Sequence, residues 1–129
     1  MDFSLNEVQR MWKDAVHDFV VKEVRPKAAE LDETHQLNWP AIRKMGPLGL
    51  LGLNVPEEYG GTGLDAVSAA IAIEELGWGD GGTGLTIAAH NGLGTAPISM
   101  FGTAAQKKQF LPQATRGDSK LAALALTEP

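Results

Sequence analysis

Apolar residues near the N-terminus recur at every third or fourth position, and this spacing constrains the first segment to an amphipathic helix. The stripe comprises Leu5, Val8, Trp12, Ala15 and Phe19, widened by Met11, Val16 and Val20. Ser4 and Glu7 fit a capping box with Ser4 as the N-cap residue. Pro26 lacks a backbone donor, so it predicts a kink in a helix that continues to about Asp32. So wide a stripe indicates packing into a helical layer.

Glycine, proline and capping residues divide the rest of the chain into shorter helices. Asp65 and Thr103 are expected N-cap residues, and Gly117 is a suitable C-terminal stop. Prolines and glycines predict irregular structure over 50–63 and a turn over 77–84. The further helices are expected over about 39–49, 65–76, 83–90, 93–101 and 103–116. The prediction is an all-α fold, an orthogonal or up-down bundle of about six helices.

The C-terminal segment has a different character. Leu121 to Leu126 form a short apolar run, which the pattern alone leaves open between a buried strand and a helix. Glu128 precedes a proline, which biases it towards extended backbone. Because an uncovered apolar strand is an unusual end for a free module, we expect this run to mark a domain boundary.

Composition excludes several classes of protein. The 129 residues are 43% hydrophobic and 21% charged, as in a single globular domain. With 11 basic and 16 acidic residues the net charge is −5, which disfavours nucleic-acid and anionic-membrane binding. Cysteine is absent, so thiol chemistry is excluded. No secretory signal and no stretch long enough to span a membrane is visible, which predicts a soluble protein of the cytoplasm, or of the mitochondrial matrix in a eukaryote.

A glycine-rich motif lies between the expected third and fourth helices. Gly77, Gly79 and Gly82 match the G-x-G-x-x-G pattern of dinucleotide sites, and Gly79, Gly81 and Gly84 match it again. A dinucleotide site requires a strand immediately before this pattern. The preceding residues have helical periodicity, so the pattern favours an interhelical turn.

The histidines and paired carboxylates form no recognisable catalytic or metal-binding set. His17 and His35 are expected to be solvated, and Glu74 and Glu75, which do not face each other on a helix, to form a solvated polar face. His90 lies in an apolar helix, where a satisfied histidine is favoured over one that lines a ligand cavity. We therefore predict no catalytic residue and no metal ligand in this chain.

Four segments together resemble the acyl-CoA dehydrogenase family. Residues 56–64 read P-E-E-Y-G-G-T-G-L, which is similar to the family's P-E-E-Y-G-G-x-G loop. Residues 102–112 resemble its G-T-x-x-Q-K-x-x-x-L-P segment, and 126–129 its L-T-E-P turn. Residues 74–76 match the end of its third helix. Each motif alone is modest, but the ordered set covers essentially the whole chain and is highly specific.

The resemblance implies a flavoenzyme that oxidises the Cα–Cβ bond of an acyl-CoA thioester. A glutamate of the family takes the α-proton and a hydride moves to FAD, but no residue here matches that glutamate. Residues 1–119 resemble the N-terminal helical domain, and 120–129 the opening strand of a middle β-domain. The resemblance implies further domains of the same enzyme, a homo-oligomer and an electron-transfer flavoprotein as acceptor. This chain alone would bind FAD weakly or not at all.

The resemblance also assigns candidate site residues. Leu124, Leu126 and Thr127 match the start of the family's flavin-contacting loop, where the threonine hydroxyl donates a hydrogen bond near flavin N5. Ordinary strand burial is an equally good interpretation of the two leucines. One wall of the acyl-chain pocket would be formed by Thr86, Ala89, His90 and Leu93. The small side chain of Ala89 would leave room for a medium or longer acyl chain.

Two alternatives remain open on sequence grounds. The chain could act as a stand-alone binding or assembly module of the same helical shape. It could instead belong to a related flavin oxidase, of the acyl-CoA oxidase or nitroalkane oxidase type. The apolar C-terminal run favours the N-terminal part of a dehydrogenase over the free module.

Overall fold

The computed structural model describes residues 4–118 and 120–128, which form two compact units. The first unit contains residues up to Asn38 together with Asp65–Leu85, and the second contains Trp39–Leu64 and the residues from Thr86 onward. The α-helices of the described residues are α1 Glu7–Phe19, α2 Ala28–Thr34, α3 Trp39–Met45, α4 Ala66–Gly79, α5 Gly81–Ala89, α6 Ala96–Phe101 and α7 Ala104–Thr115. No strand occurs among these residues, so the all-α prediction is confirmed.

In the first unit, α1 packs against α4. Val16, Val20 and Val24 are buried at successive steps of four residues, and Ile71 and Leu76 are buried on α4. This buried face is narrower than the predicted stripe: Val8 and Met11 are 74% and 66% exposed. The apolar pattern therefore identified the helix correctly but not which of its residues α4 covers.

The first helix begins two residues later than the predicted capping box requires. Asn6, not Ser4, is the N-cap residue, and its side-chain oxygen accepts a hydrogen bond from the Gln9 amide at 2.8 Å. The Gln9 side-chain oxygen accepts from the Asn6 amide at 3.1 Å, which completes the box. Asn6–Gln9 fulfils the same requirement as Ser4–Glu7, and the backbone uses the later pair.

Two helices widen into a π turn directly before a proline. Val20–Val24 is π-helical, and the Arg25 amide, adjacent to Pro26, donates to the carbonyl five residues back. His90–Thr95 is π-helical in the same way, and the Ala96 amide, adjacent to Pro97, donates to the Asn91 carbonyl. A proline ring crowds the carbonyl four residues earlier, and a wide turn moves that carbonyl aside. The chain passes both prolines without ending the helix, so the helices expected over 83–90 and 93–101 are continuous.

The predicted glycine turn over 77–84 is almost entirely helical. Only Asp80 interrupts the backbone between α4 and α5, and its side chain accepts from the Thr83 amide at 2.8 Å. A Cβ atom on Gly84 would lie 2.6 Å from the Gly77 Cα, so the two helices approach through bare backbone. Close helix contact therefore accounts for Gly84, whereas a Cβ atom on Gly77 or Gly81 would meet nothing within 4 Å.

The second unit is built around a buried irregular loop. Leu50, Leu51, Leu53 and Val55 are at most 1% exposed, although residues 46–56 form no regular element. The capping box of Thr103 and Gln106 starts α7 as predicted. Residues 120–128 form neither helix nor strand, so the predicted strand stays a prediction, and Pro129 lies outside the described residues. Among the described residues, no helix is long and apolar enough to cross a membrane.

Candidate functional site

The helix formed by α5 and the following π turn separates the four predicted wall residues onto two faces. Leu93 is 53% exposed, and Thr86 and Ala89 are half-buried. His90 is fully buried on the other face. Three of the four residues are therefore at least partly accessible on the helix surface. The His90 ring is buried and binds backbone groups of the core, as described below. Its predicted contact with an acyl chain stays a prediction.

Both ring nitrogens of His90 bind backbone groups. Nε2 lies 3.0 Å from the Leu51 carbonyl oxygen, and Nδ1 accepts a hydrogen bond from the Ala122 amide at 2.8 Å. The two bonds require a neutral ring with its proton on Nε2. Burial lowers the pKa of His90 below its ordinary value of 6.5, against the opposing effects of the backbone groups of Leu51 and Ala114. The neutral form needed for both bonds is thus the form that burial favours.

The Asn91 side chain, next to His90, also binds backbone groups of the buried loop. Its side-chain oxygen accepts from the Leu53 amide at 2.9 Å, and its side-chain nitrogen donates to the Leu50 carbonyl at 2.9 Å. A buried loop must satisfy its backbone polar groups, and these contacts do so without a sheet. Sequence analysis missed this role. Two features of the sequence could have indicated it. His90 and Asn91 form an adjacent polar pair in an apolar helix, and the apolar loop at 50–55 needs hydrogen-bond partners for its backbone.

The C-terminal segment approaches the π turn at one point. A Cβ atom on Gly94 would lie 2.5 Å from the Ala122 Cβ and 2.6 Å from its carbonyl carbon. Beyond this point the side chains turn to solvent: Leu124 is 47% exposed, Leu126 is 79% exposed, and Thr127 is exposed. The structure therefore links the helix to the segment through His90 and Gly94. It leaves the three predicted flavin-contacting residues accessible.

Two open cavities lie in the second unit, beside α6 and α7. One, of about 400 Å³, is lined by Pro97, Ile98, Phe101, Gly102, Gln106 and Phe110. A second, of about 200 Å³, lies between α7 and the Lys120–Ala122 stretch. Both are shallow and largely apolar, and neither contains a cluster of titratable groups. Among the described residues, no group of three or more metal-ligating side chains comes together.

The predicted solvated face of Glu74 and Glu75 is wrong for Glu75. This residue is only 5% exposed, and its carboxylate lies 2.7 Å from His17 Nδ1 and 3.4 Å from Lys13 Nζ. The His17 ring also stacks on Trp78, with ring centroids 4.7 Å apart. The physical reason is that α1 covers this side of α4 and supplies both partners. The cluster stabilises the first unit and is not a catalytic dyad.

Comparison with known proteins identifies similar chains over almost the full length. A family model described as acyl-CoA dehydrogenase, N-terminal domain, matches residues 6–118. The probable acyl-CoA dehydrogenase YngJ of Bacillus subtilis is 43% identical over 129 residues, which is 100% of this chain and 34% of the relative.

Solved structures agree with this match. Butyryl-CoA dehydrogenase from Megasphaera elsdenii has a TM-score of 0.88 at 38% identity, covering 100% of this chain and 34% of that one. An acyl-CoA dehydrogenase complexed with FAD from Bacillus anthracis also has a TM-score of 0.88, at 44% identity, covering 98% of this chain and 21% of that one. The chain therefore spans about a third or less of the length of these relatives.

Proposed function

Because this chain belongs to the acyl-CoA dehydrogenase family and matches the family's N-terminal domain, we propose that it serves an FAD-dependent enzyme that oxidises the Cα–Cβ bond of acyl-CoA thioesters. In this proposal the chain contributes one wall of the acyl pocket and one edge of the flavin site. Residues 1–119 form the helical domain, and 120–129 begin the next domain. The single observation that carries the proposal is the match to butyryl-CoA dehydrogenase over 100% of this chain at a TM-score of 0.88.

The pocket wall follows from the exposed face of one helix. Thr86, Ala89 and Leu93 are half-buried or exposed on α5 and its π turn, so an acyl chain can contact them without displacing the core. Ala89 extends only a methyl group from this face and leaves space for a chain of medium or greater length. His90 lies behind the wall and acts through the backbone that it binds.

The exposed C-terminal segment fits the edge of a flavin. Leu124 and Leu126 present apolar surface, and Thr127 presents an exposed hydroxyl that can donate a hydrogen bond. When bound, FAD supplies the two-electron acceptor for a hydride. The chain's own contribution is to cover part of the ring with the leucines and to direct the Thr127 hydroxyl towards developing negative charge.

The remaining parts of the proposal concern the complete enzyme. In this proposal the general base lies outside this chain. An electron-transfer flavoprotein is the proposed acceptor and a homo-oligomer the proposed assembly. The proposed location is the cytoplasm, or the mitochondrial matrix in a eukaryote.

Purification of the complete encoded protein provides the test. We expect bound FAD and oxidation of acyl-CoA with an artificial dye acceptor, measured over substrates of graded chain length. The 129-residue chain is the matched control, and it should retain no stoichiometric flavin and show no turnover. A complete protein without flavin or dye reduction would overturn the proposal. Rapid consumption of oxygen with release of hydrogen peroxide would instead support the oxidase alternative.

A further inference from the structure

One buried side chain joins two backbone segments that are distant in sequence. His90 Nε2 donates to the Leu51 carbonyl at 3.0 Å, and its Nδ1 accepts from the Ala122 amide at 2.8 Å. The ring has no exposed surface, so water cannot replace either partner without opening the core. The interaction therefore depends on one tautomer and on one ring position.

Gly94 marks the same contact independently. It lies one turn beyond His90, and a Cβ atom there would come within 2.5 Å of the Ala122 side chain. Any larger residue would separate the segment from the helix and lengthen the bond from Ala122 to His90. Ala122 is thus fixed from two sides, by a hydrogen bond and by close packing.

We propose that His90 is a positioning residue, which fixes Ala122 and thereby limits how far the proposed flavin-contacting residues Leu124, Leu126 and Thr127 can lie from the helix. Thr127 is five positions beyond Ala122, at most about 18 Å of extended chain, so the fixed amide limits its reach. The contact between His90 and Ala122 stands on geometry alone. Its consequence for the flavin edge rests on the proposed function.

Two substitutions separate the two hydrogen bonds. In His90→Asn the side-chain oxygen can occupy the place of Nδ1 and still accept from Ala122, while the bond to Leu51 is lost. In His90→Gln the longer amide can still donate to Leu51, while the Ala122 amide is left without an acceptor. Ala122→Pro removes the donor itself and leaves His90 unchanged, and Ala123→Pro on the exposed neighbouring residue is its control.

Nitrogen NMR of the chain with labelled histidine tests the tautomer, with His90→Asn assigning the signal. We expect an unprotonated Nδ1 and a protonated Nε2. Hydrogen exchange at Ala122 should be slow in the parent chain and in His90→Asn, and at least tenfold faster in His90→Gln. A protonated Nδ1, or an Ala122 amide that exchanges equally fast in every variant, would overturn the contact.

Kinetics of the complete protein then test the consequence. We expect His90→Gln and Ala122→Pro to slow flavin reduction by acyl-CoA about tenfold, with less than a twofold change in the Kd of acyl-CoA. Ala123→Pro should stay near the parent rate. Parent rates in both His90→Gln and Ala122→Pro would overturn the positioning role while leaving the contact intact. A complete protein that binds no FAD would refute the proposed function, and with it the positioning role, whereas the NMR result would stand.

Discussion

The carboxylate of Glu75 lies 2.7 Å from Nδ1 of His17 and joins α4 to α1 within the first unit. Lys13 reaches the other carboxylate oxygen at 3.4 Å. Trp78 continues the cluster: the His17 ring stacks on it, and the Arg25 guanidinium lies 4.1 Å from its ring centroid. Lys13 and His17, both on α1, thus contact a single buried carboxylate on α4.

Glu75→Gln should destabilise the protein by about 1 kcal/mol. The carboxylate side chain is 7% exposed, but those of Lys13 and His17 are each 42% exposed, so solvent screens the loss. Urea denaturation measures the change, with Glu74→Gln on the exposed face of the same helix as control. The control should stay within about 0.5 kcal/mol of the parent. Equal midpoints for the two variants would contradict the ion-pair assignment.

Asn91→Ala should destabilise the protein by about 3 kcal/mol, because it leaves the buried Leu53 amide and Leu50 carbonyl without partners. Hydrogen exchange over residues 50–55 should accelerate in parallel with the loss measured in urea. Asn54→Ala, at an exposed position of the same loop, is the control and should change stability by less than about 0.5 kcal/mol. A small loss at Asn91 with unchanged exchange would show that the loop does not depend on this side chain.

The free energy of unfolding should fall below pH 6.5 through the titration of His90. Burial lowers its pKa in the folded state, so the unfolded chain binds more protons as the pH falls, and stability rises with pH until about 6.5. One such group contributes a slope of at most about 1.4 kcal/mol per pH unit. Urea titrations between pH 8 and 5 on the parent and on His90→Asn isolate this contribution as the difference in slope. Parallel profiles would contradict the assignment.

Gly84→Ala should cost more than about 2 kcal/mol, since its Cβ would come within 2.7 Å of two backbone atoms of Gly77. Gly81→Ala provides the opposite case at the start of the same helix. A Cβ there meets nothing within 4 Å, and alanine lowers the entropy of the unfolded chain. We expect Gly81→Ala to stabilise by about 0.5 kcal/mol. Thermal unfolding compares the two, and similar shifts in Tm would refute the close approach of α4 and α5.

Thr127→Val in the complete protein should slow flavin reduction about tenfold while changing the Kd of acyl-CoA little. Valine matches threonine in shape, so the variant removes the hydroxyl alone. Stopped-flow reduction and substrate titration give the two quantities separately. Reduction at the parent rate would remove this hydroxyl from the proposed mechanism.

The sequence predicted most reliably the features that depend on interactions between residues close together in the chain. Asp65 caps α4 through the Ser68 amide, and Thr103 with Gln106 starts α7, because each partner lies within one turn. The start of α3 at Trp39 followed from Pro40, which suits the first turn of a helix. The N-cap of α1 is the exception. Asn6 takes this position in place of Ser4, because the Asn6–Gln9 and Ser4–Glu7 pairs both fit a capping box.

Features that depend on distant partners were not predictable in this way. Helix propensity argued against α-helix at Gly84, yet its close approach to the backbone of Gly77 leaves no room for a side chain at Gly84. Glu75 is buried because Lys13 and His17 of α1 supply partners for its carboxylate. The wall residues and the segment at 124–127 came from the resemblance to a family, not from periodicity. The role of Asn91 became visible only with the loop that it binds.

The π turn at His90–Thr95 holds one residue more than an α-helix of the same rise would need. In a regular α-helix one additional residue would rotate everything beyond it by about 100°. A π turn instead takes up that residue within a wider turn, so the helix beyond it keeps nearly the same angular phase. The surplus residue therefore lets the helix pass Pro97 while the faces before and after the wide turn stay aligned.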